Sequence, residues 1–147
     1  MGAVHATINL TNRDDMARAK DGTIPPSAVR RRSVECLADS GATTLVIPQS
    51  LATSLGLDRL GKRLVVIADG SVSECDVVGP IEVAFQDRSM VGSAIAMPGE
   101  VQILLGQIQM EDMDLVIDPL AQKLIPNPAS PERARMMAVG FTLRGPA

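Results

Sequence analysis

Tryptophan and tyrosine are absent from the 147 residues, and phenylalanine occurs twice, as Phe85 and Phe141. Stacking platforms for single-stranded nucleic acid therefore have nothing to be built from. A formal net charge of −3 removes the electrostatic footprint as well, and the run Arg30-Arg31-Arg32 reads as a solvated start to a strand. Histidine occurs once, as His5, which excludes a His-rich zinc centre. The two cysteines, Cys36 and Cys75, lie far apart without metal-ligand spacing and read as free, buried thiols. No metal and no cofactor are expected. No apolar run approaches the ~20 residues that a membrane-spanning helix needs. The start, Met1 to Thr7, has neither the positive charge nor the apolar block of a secretory signal, and Thr7 falls one place late for a myristoylation motif at Gly2. The chain reads as a soluble cytoplasmic protein with no nucleic-acid and no membrane partner.

What is present is ordinary globular material, 46% hydrophobic and 21% charged. A chain of this length can bury roughly 70% of its unfolded surface in one domain without staples. Its core must come from aliphatic residues and some of the eight methionines. Val4, Ala6, Ile8 and Leu10 alternate with polar neighbours, as in a half-buried strand. Asn12 to Lys20 reads as a short helix with Asn12 as its cap and Asp14 and Asp15 in the first turn. Further strands are expected at Ser33 to Ala38, Thr43 to Ile47, Arg63 to Ala68 and Val72 to Val78, the last two joined by an Asp69-Gly70 hairpin turn. Pro48 can open a short helix at its first position, with Gly56 ending it. Pro80 to Phe85 and Met90 to Met97 form another strand pair. A second short helix is expected over Gln107 to Met113, with final strands at Asp114 to Asp118 and Lys123 to Ile125. Many short strands and few helices indicate a mainly β, barrel-like domain over residues 1–126. Residues 127–147 form a proline-containing tail, either mobile or helical over Pro131 to Met137 with Ser130 as cap.

Two stretches carry chemistry. Leu37-Ala38-Asp39-Ser40-Gly41-Ala42 ends an apolar strand in a carboxylate, a hydroxyl and a glycine. Burying a carboxylate is costly unless its turn supplies donors, and Gly41 lets backbone N–H groups come close. Taken on its own, the tetrapeptide is better explained by an Asp that stabilises its own turn, a common arrangement. The second stretch, Ile103-Leu104-Leu105-Gly106, places bulky apolar residues and a glycine before a short helix, downstream of the Asp-Gly hairpin.

With both stretches in this order, the chain resembles the retroviral-type (retropepsin-like) aspartic proteases, and most of all their small cellular and microbial relatives. The likeness runs from about Val34 to Ile125, and Glu111 to Pro119 look especially like the microbial members. It implies a retropepsin-like closed β-barrel with one or two short helices. It implies that Asp39 is the catalytic aspartate, that Ser40 locks the two loops of a dimer, and that Gly41 supports the site. It places Ala42, Leu104, Leu105 and Gly106 along the substrate cleft, with Ala68, Asp69 and Gly70 in a flap over it. Viral members usually carry an arginine after the apolar-apolar-Gly element, where it braces the dimer, whereas this chain has Gln107.

Aspartic protease chemistry needs two carboxylates around one water, and the chain holds one Asp-Ser-Gly. The partner must be a second copy, giving a two-fold homodimer that cuts extended polypeptides with apolar residues beside the scissile bond. A second reading, from a different class, is a non-catalytic dimerisation or peptide-binding module of the same fold, in which Asp39 only holds its turn. Asp114 and Asp118, four apart, are expected to point the same way from a strand, as edge charges or turn caps. Glu111 and Asp112 read as a solvated helix surface.

Overall fold

The computed structural model describes residues 3–138 and 140. The expectations for Met1 and Gly2, and those for Val139 and the tail beyond Gly140, lie outside these residues. Alternating apolar residues set the first strand, β1 (His5–Asn12), in which Ile8 and Leu10 are fully buried while His5, Thr7 and Asn9 face outward. Asn12 ends it and caps α1 (Arg13–Lys20), its Oδ1 accepting the Asp15 N–H at 3.0 Å. The same side chain donates through Nδ2 to the Leu55 carbonyl at 2.8 Å, tying α1 to the end of α2 (Gln49–Ser54). Pro48 is the N-cap of α2, not its first helical residue, because it also completes β3 (Val46–Pro48).

The remaining strands are β2 (Arg31–Ala38), β4 (Asp58–Val66), β5 (Val72–Phe85), β6 (Arg88–Met97), β7 (Leu104–Leu105), β8 (Leu115–Asp118) and β9 (Lys123–Pro126), with α3 (Gln107–Asp112) between β7 and β8. Together with β1 and β3, five of them form one sheet in the order β1-β2-β7-β3-β6-β5-β4. β1 also pairs with β5, Leu10 opposite Val83, so the sheet closes on itself. β8 and β9 make a separate hairpin.

Two expected strands are one: β5 runs through Pro80, with its register to β6 shifting between Val78 and Ile81. Proline offers no N–H to the ladder, so the strand bulges there and then resumes. β4 runs from Asp58 to Val66 rather than Arg63 to Ala68, because its largely exposed length needs only backbone pairing to β5. The stretch 43–45 is irregular, and the strand expected from Thr43 shortens to β3. Inside the closed sheet, Ile8, Leu10, Leu45, Ile47, Ile81 and Leu105 are fully buried together. An aliphatic core of this kind packs without polar atoms to satisfy.

Two ionic clasps, each with one buried partner, hold the periphery. Asp15 is 2% exposed and accepts from Arg30 at 2.8 Å (Nε to Oδ2) and 3.0 Å (Nη2 to Oδ1), and from the Arg30 backbone N–H at 3.0 Å. Arg30 keeps an exposed side chain, as expected of a solvated strand entry, while its guanidinium pairs with buried Asp15. Asp114 is not on a strand: it precedes β8 with φ +54° and accepts from the Ser130 hydroxyl, from Asn127 Nδ2 at 3.0 Å and from the Arg135 N–H at 2.9 Å. Buried Arg88 donates to the Asp114 carbonyl at 3.0 Å and to the Ser130 carbonyl. Ser130 is thus a tie between tail and body, and residues 131–138 follow it without a helix.

The Arg30 bonds hold the Asp15 carboxyl down from 3.8 to about 2, and the Ser130, Arg135 and Asn127 donors do the same for Asp114. Lowered folded-state values mean that this stabilisation is complete above pH 3.8 and drains away as the pH falls toward about 2. Asp15→Asn should lower stability at neutral pH by about 1.5–3 kcal/mol. In urea titrations at a series of pH values, it should also flatten the fall between pH 4 and 2.

Candidate active site

Asp39 is positioned by backbone. β7 pairs in parallel with β2, Leu37 opposite Leu104 and Ala38 opposite Leu105, and antiparallel with β3, Val46 opposite Leu104. The chain therefore leaves β2 on one side of β7, crosses over in residues 39–45, and returns along its other side. The Asp39 N–H donates to the Leu105 carbonyl at 3.0 Å, and the Ala38 N–H donates to the Val4 carbonyl at 2.8 Å. Beyond these bonds the loop turns sharply: the Ala42 N–H donates to the Asp39 carbonyl at 3.1 Å, and the Gly41 N–H donates to Asp39 Oδ1 at 2.9 Å. A Cβ on Gly41 would lie 3.1 Å from that same oxygen. The turn expected to supply donors to the carboxylate does so, and Asp39 stays half-exposed, free to meet a ligand.

Behind the loop stands α3. The first N–H groups of a helix have no partner within it; here Gln107 donates to the Ala42 carbonyl at 2.8 Å and Ile108 to the Thr43 carbonyl at 3.0 Å. Fully buried Gln109 adds a side-chain bond, Nε2 to Thr44 Oγ1 at 2.9 Å. Loop and helix thus satisfy each other. Nothing in the sequence marked Thr44 or Gln109, because their relation spans 65 residues and appears only when β7 is in place.

Ala38, Asp39 and Ser40 border an open cleft of about 370 Å³, whose other walls include Val4, Ile117 and Pro119. Asp39 is the sole acidic residue among the described residues that line it. Ser40 is exposed and Ala42 half-buried on the adjoining loop. Leu104 is half-buried and packs against the cluster of Val46, Cys75 and Ile95. Leu105, expected on a pocket wall, is wholly buried in the main core, because the outward face of a two-residue strand belongs to Leu104 alone. Gly106, also expected at the cleft, is buried behind it against Thr44. Ala68, Asp69 and Gly70 form the exposed tip of the β4–β5 hairpin and do not line the cleft. That tip is well made: Gly70 takes φ +85°, its N–H donates to the Ile67 carbonyl at 2.8 Å, and Asp69 Oδ1 accepts the Ser71 N–H at 2.8 Å.

Other candidates fall away from the site. His5 Nδ1 lies 3.5 Å from Glu35 on the outer face of β1 and β2. Both cysteines are free and buried, and burial pushes the Cys36 thiol up to about 11. Asp118 caps its own turn, accepting the Leu120 and Ala121 N–H groups at 3.0 and 3.2 Å. Gln107, in the position of the viral arginine, reaches Glu111 Oε1 at 2.8 Å along α3.

A Cβ on Gly106 would sit 2.5 Å from the Thr44 backbone N and O, backbone atoms that cannot step aside. Gly106→Ala should therefore cost about 1–3 kcal/mol in chemical denaturation. It should also loosen the 40–45 loop, seen as faster amide exchange at Asp39 and Gly41.

An aspartyl protease family model matches residues 26–108, the segment from just ahead of β2 to the start of α3. No curated protein sequence matches the chain. Among solved structures, the retroviral protease-like domain of Ddi1 from Leishmania major superposes with a TM-score of 0.53. That likeness is at 12% identity, over 87% of this chain and 90% of that one. Among the described residues, no helix is long and apolar enough to cross a membrane. The matched segment is more than half of the chain and contains the whole crossover that carries Asp39, so the chain belongs to the aspartyl protease family and has its retropepsin-like fold.

Proposed function

We propose that the protein is an aspartic endopeptidase that hydrolyses extended polypeptides, active as a two-fold homodimer with Asp39 of each subunit facing one water. The observation that carries this reading is a half-exposed Asp39, held by a backbone-locked loop at the edge of an open cleft that contains no second acid among its described lining residues. A lone carboxylate cannot act as base and acid in the same step. A second copy placed about a two-fold axis through the loop supplies the other.

Two ionised carboxylates about 3 Å apart would repel by roughly 5 kcal/mol at an effective dielectric near 20, so the pair shares one proton. The ionised Asp39 takes a proton from the water, whose oxygen attacks the scissile carbonyl carbon. The protonated Asp39 gives its proton to the carbonyl oxygen, forming a neutral tetrahedral diol. Collapse of the diol passes a proton to the leaving nitrogen and restores the shared-proton pair. Ser40, exposed beside Asp39, would bond its symmetry mate and lock the loops. Leu104 and Ala42 are offered as apolar contacts for side chains next to the cut. The hairpin tip at Ala68, Asp69 and Gly70 would close over the peptide and exclude water.

Asp39→Asn should retain the dimer in sedimentation and lower the cleavage of a peptide library by roughly 10²–10⁴-fold or more. Wild-type activity should follow a bell-shaped pH profile, and excess Asp39→Asn chain should inhibit it by forming mixed dimers. A wild-type protein that cuts nothing from acid to neutral pH, and binds peptides no better than Asp39→Asn, would instead be a non-catalytic peptide-binding module.

A further inference from the structure

Gln109 is 1% exposed, yet its amide is only half satisfied. Nε2 donates to Thr44 Oγ1 at 2.9 Å, while Oε1 meets no donor among the described residues. Beside it, Met110 and Met113 are buried in the apolar core. A methionine of similar volume at 109 would fill the space without an unpaired oxygen. A buried acceptor without a donor costs more than the one neutral bond beside it returns. Folding alone therefore disfavours this residue here. Its bond reaches a point that the backbone leaves unheld. The Asp39 N–H and the carbonyls of Ala42, Thr43 and Leu45 are tied to β7, α3 and β6. Thr44 makes no backbone–backbone bond among the described residues, and it lies directly over Gly106. Among those residues, Gln109 gives the only side-chain bond into this loop from outside it.

We infer that Gln109 is a positioning residue for peptide hydrolysis: through Thr44 it holds the 39–45 loop down on Gly106 and so fixes the direction of the Asp39 carboxylate. The inference rests on the reading of Asp39 as the catalytic aspartate. The chain between Thr44 and Asp39 is short and closed on itself, with the Ala42 N–H on the Asp39 carbonyl and the Gly41 N–H on Oδ1. A shift at Thr44 is thus passed to the carboxylate instead of being absorbed in slack chain. In a two-fold dimer both aspartates would move, so the error counts twice. Misplacing a reacting group lowers the rate of the chemical step steeply. Binding of the peptide along the rest of the cleft is untouched, so the loss falls on kcat and not on KM. The unpaired Oε1 is then a local conflict retained at a functional site at some cost in stability.

The test uses the full chain and a peptide that the wild type cleaves. Gln109→Met removes both amide atoms at nearly constant volume, Thr44→Val removes the hydroxyl, and Thr44→Ser keeps it. Gln109→Met should have a urea midpoint at or above that of the wild type, because the unpaired oxygen leaves with the bond. Its kcat should nevertheless fall roughly 10-fold, with KM unchanged. Thr44→Val and the double variant should show that same loss, since all three break one link. Thr44→Ser should stay near the wild type. The inference is overturned, and the enzyme reading left standing, if kcat holds in Gln109→Met or falls only together with a lowered midpoint. Losses that add in the double variant, or a Thr44→Ser chain as slow as Thr44→Val, overturn it equally. A wild-type protein that cuts no peptide from acid to neutral pH overturns both.

Discussion

The arrangement depends on a strand of two residues. β7 lies between β2 and β3, and the Leu105 carbonyl receives the Asp39 N–H at 3.0 Å, so the carboxylate is placed by backbone bonds alone. Everything near the site accommodates that insertion. The loop must cross over β7, which brings its Ala42 and Thr43 carbonyls to the unsatisfied N–H groups of α3. Gly106 must lack a side chain because Thr44 passes directly over it. Without β7 in place, β2 would keep only its pairing with β1, and Asp39 would lose the carbonyl that fixes its N–H.

Rigidity and exposure are divided between parts of the molecule. The base of the site is aliphatic and closed, and the clasps of Asp15 with Arg30 and of Asp114 with Arg88 and Ser130 secure the outer elements without entering the cleft. Exposed apolar residues gather elsewhere, at the β4–β5 hairpin (Leu64, Val66 and Val72) and at Leu120 on the β8–β9 turn.

Much of the fold was legible because local chemistry and tertiary demand agreed. The alternation in β1, the Asn12 cap and the Asp69-Gly70 turn each have a local cause that survives folding. The readings that failed were those in which a distant partner outweighed the local signal. Pro80 reads as a strand break, yet the ladders on either side carry β5 past it. Ser130 reads as a helix cap, yet Arg88 and Asp114 claim its polar atoms. Leu104 and Leu105 look alike in sequence, yet alternation about a two-residue strand sends one to the core and leaves the other half-exposed.

By itself the sequence determined the chemistry on offer: one Asp-Ser-Gly per chain, no aromatic surface, and an apolar-apolar-Gly element in the right order after a hairpin. Those are properties of residue identity and spacing, and they hold whatever the chain's shape. Only the tertiary structure decided that Asp39 is half-exposed while Leu105 and Gly106 are hidden, that Thr44 and Gln109 lock the loop, and that the β8–β9 turn borders the same cleft. The physical reason is that each of these relations joins segments dozens of residues apart. Their energies exist only after the sheet has closed and brought the segments into contact.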